Sequence, residues 1–284
     1  MRIHELIDTG STPKNPIETV FQTDILECLL NIEQQFGESH LGGKSRTAVF
    51  DLDNTLLVGD IGNAVFAQLL SEDVPLSLTW SEYQQMIQED PSTAYIEAVR
   101  TLSGLSLDYI IKATKRVLLS STDTVKCEGM DVPVPKANQI MLEVIHLLRQ
   151  WEYTIFVISA SNDISAKVAA STLFDIPVHN IAGIKSKILN GTITTQILNP
   201  IPVGNGKVAQ YRLLSGDCMP MIVATDSDSD LPLLQMCDPD GLAILVGENE
   251  SLYAKAKAEL PLTVHIHRIP GTNISSLQEQ YCVA

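Results

Sequence analysis

Residues 47–50, Thr-Ala-Val-Phe, form a short apolar run that stops abruptly at Asp51-Leu52-Asp53-Asn54-Thr55. A buried-type strand that ends in carboxylates reads as the carboxyl edge of a parallel sheet, where α/β proteins gather their ligands. The pattern recurs. Residues 153–158 run into Ser159-Ala160-Ser161, residues 221–224 into Thr225-Asp226-Ser227-Asp228-Ser229-Asp230, and residues 242–246 into Gly247-Glu248. Helical periodicity fills the intervals at 136–150, 163–173, 206–215 and 231–236. Strands alternating with helices predict an α/β fold with a doubly wound, Rossmann-like parallel sheet.

One stretch breaks the alternation. Residues 59–135 carry helical patterns near 60–71, 81–89, 92–103 and 106–119 and no run that reads as a buried strand. They predict a mainly helical insertion placed directly after the first acidic strand end. The domain reading is therefore an N-terminal extension over 1–46 with a helix near 17–36, a core made of 47–58 and 136–284, and a helical cap over 59–135. Asn190-Gly191, between two β-rich triplets, predicts a hairpin within 185–200 on a type I′ turn. His265 and His267 alternate along a strand-like run at 262–269; with no third ligand nearby they read as ordinary strand residues.

Composition narrows the class. The 284 residues are 45% hydrophobic, enough for a sizeable core, and 34 acidic against 19 basic side chains leave a net charge of −15. Such a field repels polyanions, so nucleic acid and anionic membrane surfaces are not expected partners, whereas a small phosphorylated substrate is compatible with a local cation. The five cysteines are odd in number and contain no C-x-x-C pair, which suits a reducing, cytoplasmic setting. No run approaches the ~18 apolar residues of a membrane span.

Four signals then stand in order at strand ends or a helix start: Asp51-x-Asp53-x-Thr55, Ser159, Lys207, and Asp226-x-x-x-Asp230. Phosphoryl transfer from a monoester needs a nucleophile, a proton donor for the leaving oxygen, and compensation for the charge on the equatorial oxygens. Asp51 is the candidate nucleophile, and Asp53 the candidate acid that protonates the alkoxide and then activates water. Mg²⁺ held by Asp51, Asp226 and a backbone carbonyl would cancel the repulsion between two anions. Lys207 would neutralise further charge, with the Thr55 and Ser159 hydroxyls orienting phosphoryl oxygens.

The strings AVFDLDNTLL, VISAS, GNGKVAQ and TDSDSDLPLL resemble the four motifs of the haloacid dehalogenase superfamily, and more narrowly its phosphoserine-phosphatase-like branch with a helical cap. The resemblance spans about residues 47–247. It implies a Mg²⁺-dependent phosphatase with Asp51 as nucleophile, Asp53 as acid/base, and Ser159 and Lys207 on the phosphate. The implied metal ligands are Asp51, the Asp53 carbonyl and Asp226, with Asp230 supporting through a water. The chain departs from the motifs at Thr225, where Gly is usual, at Ser229, where a substrate-contacting Asn is usual, and at Ser159-Ala160-Ser161 in place of Ser-Gly-Gly. In that branch a carboxylate at the offset of Asp60 contacts the substrate's amino group; Asp60 equally suits a helix start. A phosphomutase, a protein-directed phosphatase and a catalytically silent binding protein on the same fold remain the alternatives, and the oligomeric state is not legible.

Overall fold

The computed structural model describes residues 16–36, 45–259 and 265–269. Residues 1–15 and 37–44 of the expected N-terminal extension lie outside them. In chain order the elements are α1 (Pro16–Phe36), β1 (Thr47–Phe50), β2 (Leu57–Val58), α2 (Ile61–Ser71), α3 (Trp80–Glu89), α4 (Pro91–Arg100) and α5 (Leu107–Leu118). There follow β3 (Thr124–Cys127), β4 (Met130–Pro133), β5 (Lys136–Ala137), α6 (Gln139–Gln150), β6 (Thr154–Asn162), α7 (Asp163–Phe174), β7 (Ile181–Leu189) and β8 (Thr192–Leu198). The chain closes with α8 (Asn205–Ser215), β9 (Ile222–Thr225), α9 (Leu231–Leu234), β10 (Leu242–Val246), α10 (Glu250–Glu259) and β11 (His265–Ile269).

Seven strands form one sheet in the order β11-β10-β9-β1-β6-β7-β8, parallel throughout except for the β7–β8 hairpin. Strand β1 is central and all four of its residues are buried, which is why its sequence is a continuous apolar run. Alternate residues feed two cores. Ala48 and Phe50, with Ile155, Val157, Ile222 and Ile244, pack beneath α1, α6 and α7. Val49, Phe156, Val223 and Leu245 pack against Tyr211 of α8, Leu233 and Leu234 of α9, and Leu252 of α10. The result is the doubly wound, three-layer α/β architecture expected from the alternation.

The insertion leaves and re-enters the core through an antiparallel pairing of β2 with β5, Leu57 opposite Ala137 and Val58 opposite Lys136. Its helices start on side-chain caps visible in the sequence: Asp60 for α2, a Thr79–Glu82 capping box for α3, Asp90 ahead of Pro91 for α4, and Ser106 for α5. The expectation that this stretch holds no buried strand is corrected by the β3–β4 hairpin, which buries Val125, Cys127 and Val132. Its strands are four residues long and its turn is Glu128-Gly129, both at positive φ (48° and 80°). A two-residue turn of that kind normally advertises itself with Asn or Asp before Gly, and here it does not.

The other hairpin forms as expected, with Asn190 and Gly191 at φ 50° and 78° and Leu189 opposite Thr192. Two features exceed the expectation. Strand β7 begins at Ile181 and pairs in parallel with β6, so the hairpin is an extension of the main sheet. Its tip also bonds to the insertion: Leu107 N–H donates to Gly191 O (2.9 Å), Gly104 N–H to Ile193 O (2.9 Å) and Ile193 N–H to Leu105 O (2.9 Å). Among the described residues no helix is long and apolar enough to cross a membrane.

Candidate active site

Strand β1 delivers Asp51 to its carboxyl end, where the Asp51 N–H donates to Ala224 O of β9 (2.9 Å) and the side chain is buried. The chain then turns through Asp53 and Asn54, the latter left-handed at φ 57°, a conformation asparagine tolerates better than most residues. This turn brings Asp53 beside Asp51 instead of continuing the strand.

Asp53 is held from three sides. Its Oδ1 accepts from the Ile61 N–H (2.7 Å), and its Oδ2 accepts from the hydroxyls of Ser159 (2.9 Å) and Ser161 (2.8 Å). The strand expected over 153–158 runs on to Asn162, with its register against β7 broken between Ile158 and Asn162. The alternation of side chains along it puts Ser159 and Ser161 on one face, so both hydroxyls meet one carboxylate oxygen. Sequence reasoning singled out Ser159 and missed Ser161; the i, i+2 spacing of two serines after a buried strand was the available signal.

Lys207, on the first turn of α8, is buried and bridges two strand ends, with Nζ 2.7 Å from Asp51 Oδ1 and 2.6 Å from Asp230 Oδ2. Burial alone would depress its ammonium, yet Asp230 and Asp51 push it well above the ordinary lysine range, so it stays charged. Asp230 also accepts from the Thr225 hydroxyl (2.6 Å), which accounts for a threonine where the family motif usually has glycine. Asp228, in the same loop, turns away to Lys255 (2.6 Å) and Ser251 (2.8 Å).

Thr55 and Ser159 are fully buried behind the carboxylates that line the cavity. The Thr55 hydroxyl donates to Asp226 Oδ1 (3.3 Å) and the Ser159 hydroxyl to Asp53 Oδ2 (2.9 Å).

The cavity, about 150 Å³, is floored by Asp51, Asp53, Lys207, Asp226, Ser229 and Asp230. Helices α2, α3 and α4 supply its roof through Gly62, Asn63, Phe66, Tyr83 and Tyr95. Phe66 meets Tyr83 edge-on (centroids 5.4 Å apart), and the Tyr83 hydroxyl donates to Asn63 Oδ1 (2.7 Å). Burial and the facing Asp60 and Asp53 push the Tyr95 phenol up to about 12, so it stays neutral. These aromatic positions carried no distinguishing signal in the sequence. Asp60 lines the same cavity while capping α2 through the Asn63 N–H (2.7 Å). Ser229, exposed at the rim, bonds to Ser227 (2.7 Å).

Among the described residues, five carboxylates thus share the cavity with one ammonium. Burial, reinforced by Asp230, Asp226 and Asp53 against the relief from Lys207, raises Asp51 well above the usual carboxylate range. Burial raises Asp53 against its three donors, and burial with Asp230 pushes Asp226 up to about 6. Oxygens of Asp51, Asp226 and Asp230 lie within 4.8 Å of one another. An all-oxygen, under-neutralised set at this spacing fits a hard divalent cation.

The family profile of haloacid dehalogenase-like hydrolases matches residues 48–235, from β1 through the Asp226–Asp230 loop. The chain belongs to this family. Among solved structures, the hydrolase is similar in fold to a protein of unknown function from Anaerococcus prevotii (TM-score 0.64, 14% identity, covering 88% of this chain and 95% of that one). It is likewise similar to a protein of unknown function from Bordetella pertussis (0.62, 16%, 81% and 100%). A substrate-bound phosphoserine phosphatase complex matches at TM-score 0.52 with 16% identity, covering 84% of this chain and 99% of that one. At such identities the likeness is one of fold. No curated protein matches the hydrolase sequence.

Proposed function

We propose that this hydrolase is a Mg²⁺-dependent phosphomonoesterase working through an aspartyl-phosphate on Asp51, with residues 59–135 acting as its cap. The observation that carries the reading is the pairing of Asp51, bound to Lys207, with Asp53, bound to Ser159, Ser161 and the Ile61 N–H, on the floor of one roofed cavity.

In the first step an Asp51 oxygen forms a bond to phosphorus as the ester P–O bond breaks, and Asp53 gives its proton to the departing alkoxide. The raised Asp53 carboxyl suits that duty. In the second step Asp53 takes a proton from water whose oxygen attacks phosphorus, releasing inorganic phosphate and restoring Asp51. Lys207 offsets charge on the transferring group. Asp51, Asp226 and the Asp53 carbonyl would hold a divalent cation, with Asp230 supporting it through a water, and the cation would supply charge cancellation between the two anions. The helical roof excludes bulk water. A reducing, cytoplasmic setting suits Cys127, Cys218 and Cys237, which are free thiols. Release of inorganic phosphate from an aryl phosphate, abolished by chelation and restored by Mg²⁺, is the expected result; no release under any metal condition would refute the reading.

The substrate is a small phosphate ester, and the excess of carboxylates in the cavity, Asp60 included, favours a cationic leaving group. Asp60→Asn tests this cleanly, because asparagine caps helices as well as aspartate does. A carboxylate in a closed site is worth about 1–3 kcal/mol, roughly ten- to hundred-fold in specificity. The expected outcome is that the preference of kcat/KM for an amino ester over its neutral isostere falls by that factor in the variant. An equal preference in both proteins reduces Asp60 to a cap.

Gly62 allows the Ser161–Asp53 contact. A Cβ there would lie 2.6 Å from Ser161 Oγ and 3.2 Å from Asp60 Oδ1. Gly62→Ala therefore displaces Ser161 from Asp53, and kcat is expected to fall about tenfold or more for a shift of under an ångström. Thermal unfolding should change little, since alanine's helix propensity compensates. Wild-type kcat in this variant would show that the Ser161 contact does not position Asp53.

A further inference from the structure

The roof of the acidic cavity is aromatic and aliphatic where its floor is charged. Phe66 of α2, Tyr83 of α3 and Tyr95 of α4 line it, as do Val99 and Leu102. The rings of Phe66 and Tyr83 stand nearly perpendicular, at 79° with centroids 5.4 Å apart, and such a pair bounds a corner with two π faces. Trp80, which is not among the lining residues, packs against both rings at 6.0 and 5.7 Å. The Tyr83 hydroxyl is tied to Asn63 Oδ1 (2.7 Å), so packing and hydrogen bonding hold the rings in place before a ligand arrives.

The leaving group must stand at this end of the cavity. Asp53, which would protonate the departing oxygen, accepts from the Ile61 N–H (2.7 Å), so the alcohol emerges at the first turn of α2. Asp60, Gly62 and Asn63 of that turn line the cavity. The field there is negative: burial raises the Tyr83 and Tyr95 phenols, and the charges of Asp60 and Asp53 raise them further. Burial and Asp53 likewise raise the Asp60 carboxyl well above the usual carboxylate range, and a cation beside it draws it back towards the charged form.

Hydrogen-bonding capacity separates one kind of cation from another. A primary ammonium carries three N–H donors, and each needs an acceptor in a closed site. Two acceptors at this end are already engaged, Asp60 Oδ1 by the Asn63 N–H (2.7 Å) and Asn63 Oδ1 by the Tyr83 hydroxyl. A quaternary ammonium has no N–H to satisfy, and its methyl groups gain from aromatic faces and aliphatic carbons in a negative field.

We infer that the roof is an aromatic cage that selects phosphate esters whose alcohol ends in a quaternary, methylated ammonium. The inference rests on the phosphomonoesterase reading and narrows its cationic leaving group to one class. Asp60 supplies the counter-charge, and Phe66, Tyr83 and Tyr95 supply the faces against which the methyl groups pack.

The test is a methylation series: the phosphate esters of ethanolamine, N-methylethanolamine, N,N-dimethylethanolamine and choline, with 3,3-dimethylbutyl phosphate as the uncharged isostere of the last. In the wild-type chain kcat/KM is expected to rise about tenfold or more along the series, and the choline ester to exceed its isostere by a similar factor. Tyr95 is half-buried, whereas Phe66 and Tyr83 are buried, so it is the ring to replace. Tyr95→Phe keeps the aromatic face and should keep the choline-to-isostere ratio. Tyr95→Leu should lower that ratio about tenfold, with circular dichroism checking the fold. A flat series, a preference for the ethanolamine ester, or a ratio unchanged in Tyr95→Leu overturns the cage, while turnover of an aryl phosphate leaves the phosphomonoesterase reading standing. Failure to turn over any phosphate ester, the aryl phosphate included, overturns that reading and the cage with it.

Discussion

Asp51→Asn is expected to lower kcat by about 10⁴-fold or more while leaving the fold intact. The amide has no anionic oxygen with which to attack phosphorus. It also removes one of the three carboxylates that approach within 4.8 Å of one another. The fold should survive because Lys207 keeps Asp230 at 2.6 Å as its partner. The substitution also relieves a repulsion, since Asp51 is buried among Asp230, Asp226 and Asp53 and titrates well above the usual carboxylate range. Unfolding free energy in the presence of a chelator is therefore expected to be equal to or above that of the wild type. Single-turnover phosphate release and urea denaturation measure the two halves separately. Appreciable turnover in this variant would sink the covalent mechanism.

Lys207→Met should have the opposite signature. Among the described residues Lys207 is the one cation on the cavity wall, and its loss leaves buried Asp51 and Asp230 facing each other uncompensated. Breaking a buried pair in this way destabilises by about 3–5 kcal/mol. The loss should depend on pH with a definite sign. Removing Lys207 takes away the main influence that lowers the Asp51 carboxyl, so its folded-state value rises further above the unfolded one. A carboxylate raised in the folded state opposes folding above its unfolded pKa and is relieved as pH falls and the group takes up a proton. The variant is thus expected to be least stable towards alkaline pH and to recover on mild acidification, with millimolar Mg²⁺ restoring part of the deficit by binding the folded state. Unfolding in urea across a pH series, with chelator and with Mg²⁺, makes the measurement. Wild-type stability in chelator at neutral pH would show that Lys207 is not what holds the acidic cluster together.

The candidate site was legible because its parts sit at the ends of strands, and strand ends announce themselves where a buried apolar run meets polar residues. Asp51, Asp53, Lys207, Asp226 and Asp230 all line one cavity, as their placement at strand ends and at the first turn of α8 suggested. Ser161 escaped because the strand was expected to stop at residue 158, and only the irregular pairing of β6 with β7 shows that it continues. Tyr83 and Tyr95 escaped because an aromatic residue on an amphipathic helix looks the same whether it faces a core or a cavity. The β3–β4 hairpin escaped because four-residue strands joined by Glu128-Gly129 lack both a sustained alternation and a strong turn signal.

What the sequence by itself determined is the set of local choices: the fully buried β1, the caps of α2 to α5, the Asn190-Gly191 turn, and the order of carboxylates and lysine along the chain. Each depends on residues close to one another in the chain, where propensity and hydrogen-bonding capacity act directly. The tertiary structure alone decided which hydroxyls serve which carboxylate. Thr55 and Asp226 lie 171 residues apart, and Ser159 and Asp53 106 apart. It also decided that Asp60 both caps a helix and faces the acidic cavity. Those outcomes depend on sheet order and register, which emerge only when distant segments compete to bury apolar surface and satisfy their polar groups together.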